Sequence, residues 1–230
     1  MATFIEITIG GSKTNALVGI PEGSKNGPGI IVSHHKCGLD DTTSKYVDLL
    51  ADAGFRVIAP NHYHVIPEGV SIDERRKYLK DDQYKTDLLA SIEWLEKNGT
   101  DVKRLGLLGH CAGGRTTWVG LEALPDIWRC GCVWYGGGIF TPYGDIASPF
   151  ERLSNVSCPV IGFFGDLDHL CTKEDVNKTE AELKRLNKSY QFFRYNANHA
   201  FASYHDERFD SVAAADSWSK AIPFLKKHLG

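Results

Sequence analysis

The sequence has no apolar run of the ~18–20 residues that a membrane-spanning helix needs. It also lacks an excess of either charge. Its 26 Lys and Arg face 29 Asp and Glu, a formal net charge of −3. That balance gives no electrostatic footprint for nucleic acid or an anionic membrane. The first residues, Met1-Ala2-Thr3-Phe4-Ile5-Glu6, lack the basic and then apolar layout of a signal peptide. No internal repeat, low-complexity tract or Pro/Ser-rich linker interrupts the 230 residues. A single domain over 1–230 is therefore expected. Cysteine is present but not patterned: Cys37, Cys111, Cys130, Cys132, Cys158 and Cys171 match no zinc module. A chain of this length needs no disulfide framework. The six read as reduced thiols, with a cytoplasmic location as the expectation.

What the chain does have is an alternation of strand-like and helix-like segments. Thr3–Ile9 and Asn15–Ile20 read as an antiparallel pair around Gly10-Gly11. Apolar strands follow at Gly29–Ser33, Phe55–Ala59, Arg104–Leu108, Cys130–Tyr135, Val160–Phe164 and Tyr190–Tyr195. Helices are expected over Thr42–Ala53, Asp81–Lys97, Ala112–Leu124, Lys173–Asn187 and Val212–His228. Asp81–Lys97 is the clearest of these, with Leu88, Leu89, Ile92, Trp94 and Leu95 on or near one face. Such alternation predicts an α/β fold: a mostly parallel sheet covered on both faces.

The chemistry is carried by Gly109-His110-Cys111-Ala112-Gly113-Gly114, between a strand and a helix. Gly-x-Cys-x-Gly is the nucleophile-elbow pattern with cysteine in place of serine. A nucleophile on so tight a turn needs small neighbours, because bulky ones would strike the adjacent strand and helix. A plain Gly-rich turn with an inert buried cysteine is the competing reading. Two further segments weigh against it. Gly165-Asp166-Leu167-Asp168-His169 follows one strand, and Asn198-His199-Ala200-Phe201 follows the next. Nucleophile, acid and base thus occur in the order this fold uses, each past a strand's C-terminal end, where open α/β sheets bind ligands.

With Trp134-Tyr135-Gly136-Gly137-Gly138 and Ala59-Pro60-Asn61-His62-Tyr63, these motifs make the chain resemble the dienelactone hydrolase family, over nearly its whole length. The resemblance implies an α/β-hydrolase fold without a large lid domain. It implies Cys111 as nucleophile, His199 as base and Asp168 as the acid that orients it. The backbone N–H groups of Ala112 and Lys36 would form the oxyanion hole. Asp166 is the alternative acid, and His205 and His228 compete with His199; the Asp168-His169 pair favours Asp168. The implied activity is hydrolysis of an enol-lactone or activated carboxylic ester, a small-molecule substrate. A carboxylesterase or thioesterase of less anionic substrate range is the alternative. A non-catalytic binding protein on the same scaffold is the alternative from another class. No cofactor and no metal are expected, and the family resemblance implies a monomer.

Departures from the family pattern bear on the substrate. His35 falls where reference members carry a glutamate near the resting thiol. Ser203 falls where they carry an arginine for the substrate carboxylate. Tyr84, His110 and Tyr135 join His35 and Ser203 as candidate substrate contacts, with Arg75, Arg76 or Lys80 as further options. The cluster His34, His35, Cys37, His62 and His64 has imidazole and thiolate donors, yet no Asp or Glu is evident behind it. It is expected to line the active-site mouth as polar residues.

Overall fold

A computed structural model describes residues 1–230. Its centre is one eight-stranded sheet with β1 (Thr3–Ile9), β2 (Ser12–Gly19), β3 (Gly27–Ser33) and β4 (Arg56–Pro60). It continues through β5 (Thr100–His110), β6 (Trp128–Trp134), β7 (Val160–Gly165) and β8 (Tyr190–Tyr195). The strand order is β1-β2-β4-β3-β5-β6-β7-β8. The β1–β2 and β2–β4 pairs are antiparallel, and every other pair is parallel. The α/β-hydrolase architecture expected from the sequence is therefore present.

Alternate residues of each central strand feed opposite faces, as the period of two requires. On one face Ile30, Val32, Leu108, Cys132, Trp134 and Phe163 pack under α1 (Asp41–Asp52) and α5 (Ser211–Leu229). On the other, Ile31, Leu107, Val133 and Phe164 pack under α2 (Asp81–Lys97), α3 (Ala112–Ala123) and α4 (Lys173–Arg185). Helix ends follow local chemistry. Asp40, Thr172 and Asp210 accept from backbone N–H groups of the first turns of α1, α4 and α5. Gly54, at φ 102°, ends α1 in the left-handed region that glycine tolerates best.

Boundaries moved where pairing outran the apolar pattern. β5 begins at Thr100, not Arg104, because Thr100 pairs with Gly27 of β3. It also runs on to His110, directly against Cys111. β6 starts at Trp128, whose indole N–H donates to Gly120 O at 2.8 Å. Short 3-10 turns at Arg75–Tyr78 and Phe150–Asn155 carry no periodic signal that sequence reading could use. No helix is long and apolar enough to cross a membrane.

Candidate active site

The last residue of β5, His110, and the first of α3, Ala112, leave Cys111 alone at the corner. Its backbone sits at φ 57°, ψ −122°, a strained position for a residue with a Cβ, of the kind that costs about 1–3 kcal/mol. Close packing holds it there. A Cβ on Gly109 would lie 2.2 Å from Gly113 O. On Gly113 it would lie 1.9 Å from Ser33 O, and on Gly114 2.6 Å from the Gly136 Cα. Gly109 is thus fixed by its contact to α3, and Gly113 and Gly114 by contacts to the neighbouring strand ends, while the Cys111 N–H is anchored on Trp134 O at 3.0 Å.

Asp168 and His199 arrive from the next two parallel strands. Asp168 lies in the turn after β7, its N–H bonded back to Gly165 O at 3.3 Å. Its Oδ1 accepts from the Leu170 and Cys171 N–H groups at 2.7 and 2.9 Å. Its Oδ2 accepts from His199 Nδ1 at 2.7 Å. Both side chains are buried. His199 follows β8 and is turned inward by Ala200, which adopts φ 66°. The other ring nitrogen, Nε2, is buried without a well-aligned hydrogen bond. It looks onto the Cys111 thiol, and the two groups shift each other's proton affinity.

Both shifts favour an ion pair. Burial alone would raise the Cys111 thiol. The hydrogen bond and charge of His199, with the backbone N–H groups of Ala112 and Lys36, outweigh burial and hold it below its ordinary value. Burial would lower His199, but Asp168 and Cys111 bring it up to about 9. Ala112 and Lys36 therefore converge on the thiol from two sides of the chain. Lys36 is held in a turn closed by Gly38 N–H to His35 O at 3.0 Å. The Arg75 guanidinium donates to Lys36 O at 3.3 Å. Over Cys111 opens a cavity of about 150 Å³, lined among others by His35, Asp40, His199, Ser203, His205 and Arg208.

The dienelactone hydrolase family model matches residues 14–229. The chain belongs to the dienelactone hydrolase family. Membership makes it a carboxylic ester hydrolase on an α/β-hydrolase fold. A protein of Escherichia coli O157:H7, provisionally named a carboxymethylenebutenolidase, is 28% identical over 189 residues, covering 80% of this chain and 68% of its own. A Bradyrhizobium protein, provisionally named a 2-oxo-3-(5-oxofuran-2-ylidene)propanoate lactonase, is 24% identical over 98% of this chain and 94% of its own. A Klebsiella pneumoniae structure, provisionally assigned as a dienelactone hydrolase, superposes with a TM-score of 0.90 at 24% identity, covering 99% and 98% of the two chains.

Within this member the candidate residues divide. Cys111, Asp168, His199, Ala112 and Lys36 come together, and His35 and Ser203 line the cavity. Three expected substrate contacts lie elsewhere. His110 is fully buried, with neither ring nitrogen hydrogen-bonded, and is packed among His35, Tyr46 and Tyr135. It is the last residue of β5, and its ring points into the layer under α1 rather than upward. Tyr84 is buried on α2 with its ring edge-on to His62. Tyr135 stands behind the histidine, its ring 5.0 Å from His199 and its hydroxyl 3.2 Å from Ser203 Oγ. Asp166 is bound by Arg194 at 2.8 Å, and it is Asp168 that takes His199. His228 packs on Phe224 in α5, and His169 is exposed. Arg75 donates to Lys36 O and lies over the Tyr63 ring, and Arg76 lies over the Tyr143 ring.

The histidine cluster also needs correction. Carboxylates do stand behind it. Asp87 on α2 takes His62 Nδ1 at 2.8 Å and His64 Nε2 at 3.1 Å, and Asp40 takes His35 Nε2 at 2.7 Å. Burial would raise the Asp40 carboxyl, but His35 and the Thr43 N–H hold it at about 2. His34 and His62 are interior: His34 accepts from the His62 N–H at 3.0 Å. Of the five, only His35 and Cys37 line the cavity over Cys111. Arg208, Asp206, Leu170 and Thr42 also line it and were missed. Arg208 lies nine residues past His199 with no motif around it, so only tertiary folding reveals it.

Proposed function

We propose that this family member hydrolyses a lactone or activated carboxylic ester through a thioester on Cys111. The observation that carries the reading is the geometry around Cys111: buried His199, tied through Nδ1 to Asp168 Oδ2 at 2.7 Å, shares the cavity of the thiol, a pairing that lowers Cys111 and raises His199. The Cys111 thiolate attacks the substrate carbonyl. The developing oxyanion takes the Ala112 and Lys36 N–H groups, each such donor being worth about 3–4 kcal/mol. His199 protonates the departing oxygen, then draws a proton from water as that water attacks the thioester. Asp168 keeps the proton of the neutral ring on Nδ1 and stabilises the imidazolium.

The names carried by the relatives favour an enol-lactone of the dienelactone type as substrate. The pocket itself favours a less anionic ester as the second reading. Ser203 offers no positive charge, and Arg208 is engaged by both Asp206 oxygens at 2.7 Å.

Hydrolysis of dienelactone and of p-nitrophenyl acetate by wild type and Cys111→Ala tests both. Loss of turnover by at least about 1000-fold in the variant is expected for whichever substrate wild type accepts. Dienelactone turnover supports the first substrate reading, and turnover of the acetate alone supports the second. Activity that survives Cys111→Ala removes the cysteine mechanism.

A further inference from the structure

Beside the nucleophile, three metal-binding side chains converge. An imidazole nitrogen of His35, the Cys37 thiol and an Asp40 oxygen all lie within 4.8 Å of one another. The geometry points to a binding site for a borderline-soft divalent cation, Zn²⁺ being the type, on the His35–Asp40 turn, whose occupation shuts the catalytic pocket.

Ligand chemistry supports the assignment. Imidazole, thiolate and carboxylate together suit Zn²⁺, which binds them at about 2.0–2.3 Å. Tetrahedral bonds of that length place the ligand atoms roughly 3.2–3.7 Å apart. The three donors are thus about 1 Å from a closed site. The His35–Asp40 hydrogen bond, at 2.7 Å, would open by about half an ångström as the ion replaces its proton.

Two of the donors are already held in place. Asp40 Oδ1 is committed to the cap of α1, accepting from Thr43 N–H at 3.0 Å, which leaves Oδ2 toward His35. The His35 ring is stacked on buried His110, centroids 5.0 Å apart. Cys37 is the one exposed thiol of the six, so it can swing inward. Neighbouring imidazoles do not compete. His34 is tied to His35 O and the His62 N–H, and His62 and His64 to Asp87.

On loading, the Cys37 S–H bond breaks and its proton passes to buffer, the proton that His35 Nε2 shares with Asp40 moves to His35 Nδ1, and sulfur and Nε2 bind the metal without any redox step. Three protein ligands leave a fourth position open. His35, Cys37 and Asp40 line the same cavity as Cys111 and His199, so the ion sits where substrate must enter. It also spans Lys36 within the turn. The inhibitory half of the proposal rests on Cys111 being the nucleophile, whereas the binding half does not.

The test uses Cys111→Ala, in which the catalytic thiol cannot serve as ligand. Calorimetric titration with ZnCl₂ should give one ion per chain. CoCl₂ should give the near-ultraviolet charge-transfer band of a thiolate–cobalt bond. Adding Cys37→Ser should abolish that band, and Cys37→Ser or His35→Gln should each weaken Zn²⁺ binding at least about tenfold. In wild type, ZnCl₂ should inhibit p-nitrophenyl acetate turnover and EDTA should restore it. Cys37→Ser should raise the inhibitory concentration at least about tenfold. The proposal is overturned if Cys111→Ala shows no saturable binding, since any wild-type inhibition then comes from metal on the catalytic thiol. It is equally overturned if the cobalt band persists without Cys37. Stoichiometric binding by a protein that has no esterase activity would leave the site standing and remove the mechanism instead.

Discussion

Asp168 has both carboxylate oxygens committed, one to two backbone N–H groups and one to His199. In Asp168→Asn the amide oxygen must stay with Leu170 and Cys171, because an NH₂ there would face two donors. The NH₂ then points at Nδ1 and forces the His199 proton onto Nε2. That tautomer cannot accept from the thiol or from water. The expected result is a fall in kcat of about 10⁴ with the fold intact. Asp166→Asn should change kcat little, because Asp166 serves Arg194. Steady-state kinetics with circular dichroism separates the two cases. The Cys111 thiol gives a second prediction. Lowered by His199, it stays ionised below the ordinary thiol pKa of about 8.5 and becomes protonated only as pH falls through its lower value. Iodoacetamide should therefore modify Cys111 at pH values below the ordinary thiol range, far ahead of Cys130, Cys132, Cys158 and Cys171, which burial pushes up. Peptide mass spectrometry against pH checks this, and a profile falling tenfold per unit from 8.5 downward would contradict it.

The elbow shows what an element demands of its sequence. Gly113→Ala would force Cβ against Ser33 backbone at 1.9 Å, with no flexible side chain to yield. Destabilisation of about 3 kcal/mol or more is expected in urea unfolding. Gly54→Ala meets open space and bears only its positive φ, so about 1 kcal/mol is expected there. This same crowding made the elbow legible in one dimension: a Gly-x-Cys-x-Gly-Gly run has few other uses. The strand–helix alternation was legible because the central strands β3, β4, β6 and β7 are buried on both faces, whereas α1 and α4 bury one face. Contacts between distant elements were not. Asp87 is 25 residues from His62, mid-helix, and nothing local marks it as that histidine's partner. His110, Tyr84 and Tyr135 stood near strand ends or on α2 as expected, yet point into packed layers. Which way a polar ring turns at a strand end depends on neighbours two strands away.

Across the whole molecule, α2, α3 and the β6–β7 connection meet at a buried charge cluster. The Arg115 guanidinium grips Asp81, and Arg152 lies 3.4 Å from Glu122. Burial raises the Glu122 carboxyl to about 9, with neither oxygen well hydrogen-bonded. The folded state thus holds a proton that the unfolded chain releases near pH 4.3, and stability declines as pH rises from there toward 9. Glu122→Gln removes that dependence. Its melting temperature should exceed that of wild type at pH 8 and approach it at pH 5. Sheet order has a separate consequence. Lys36, Cys111, Asp168 and His199 hang from β3, β5, β7 and β8, four strands spread over the chain. Trp118 and Trp134 lie in the two inner layers, and their fluorescence follows the burial of those layers. Turnover regained after dilution from urea instead requires all four strands to be docked together, and so acts as a clock for the completion of refolding.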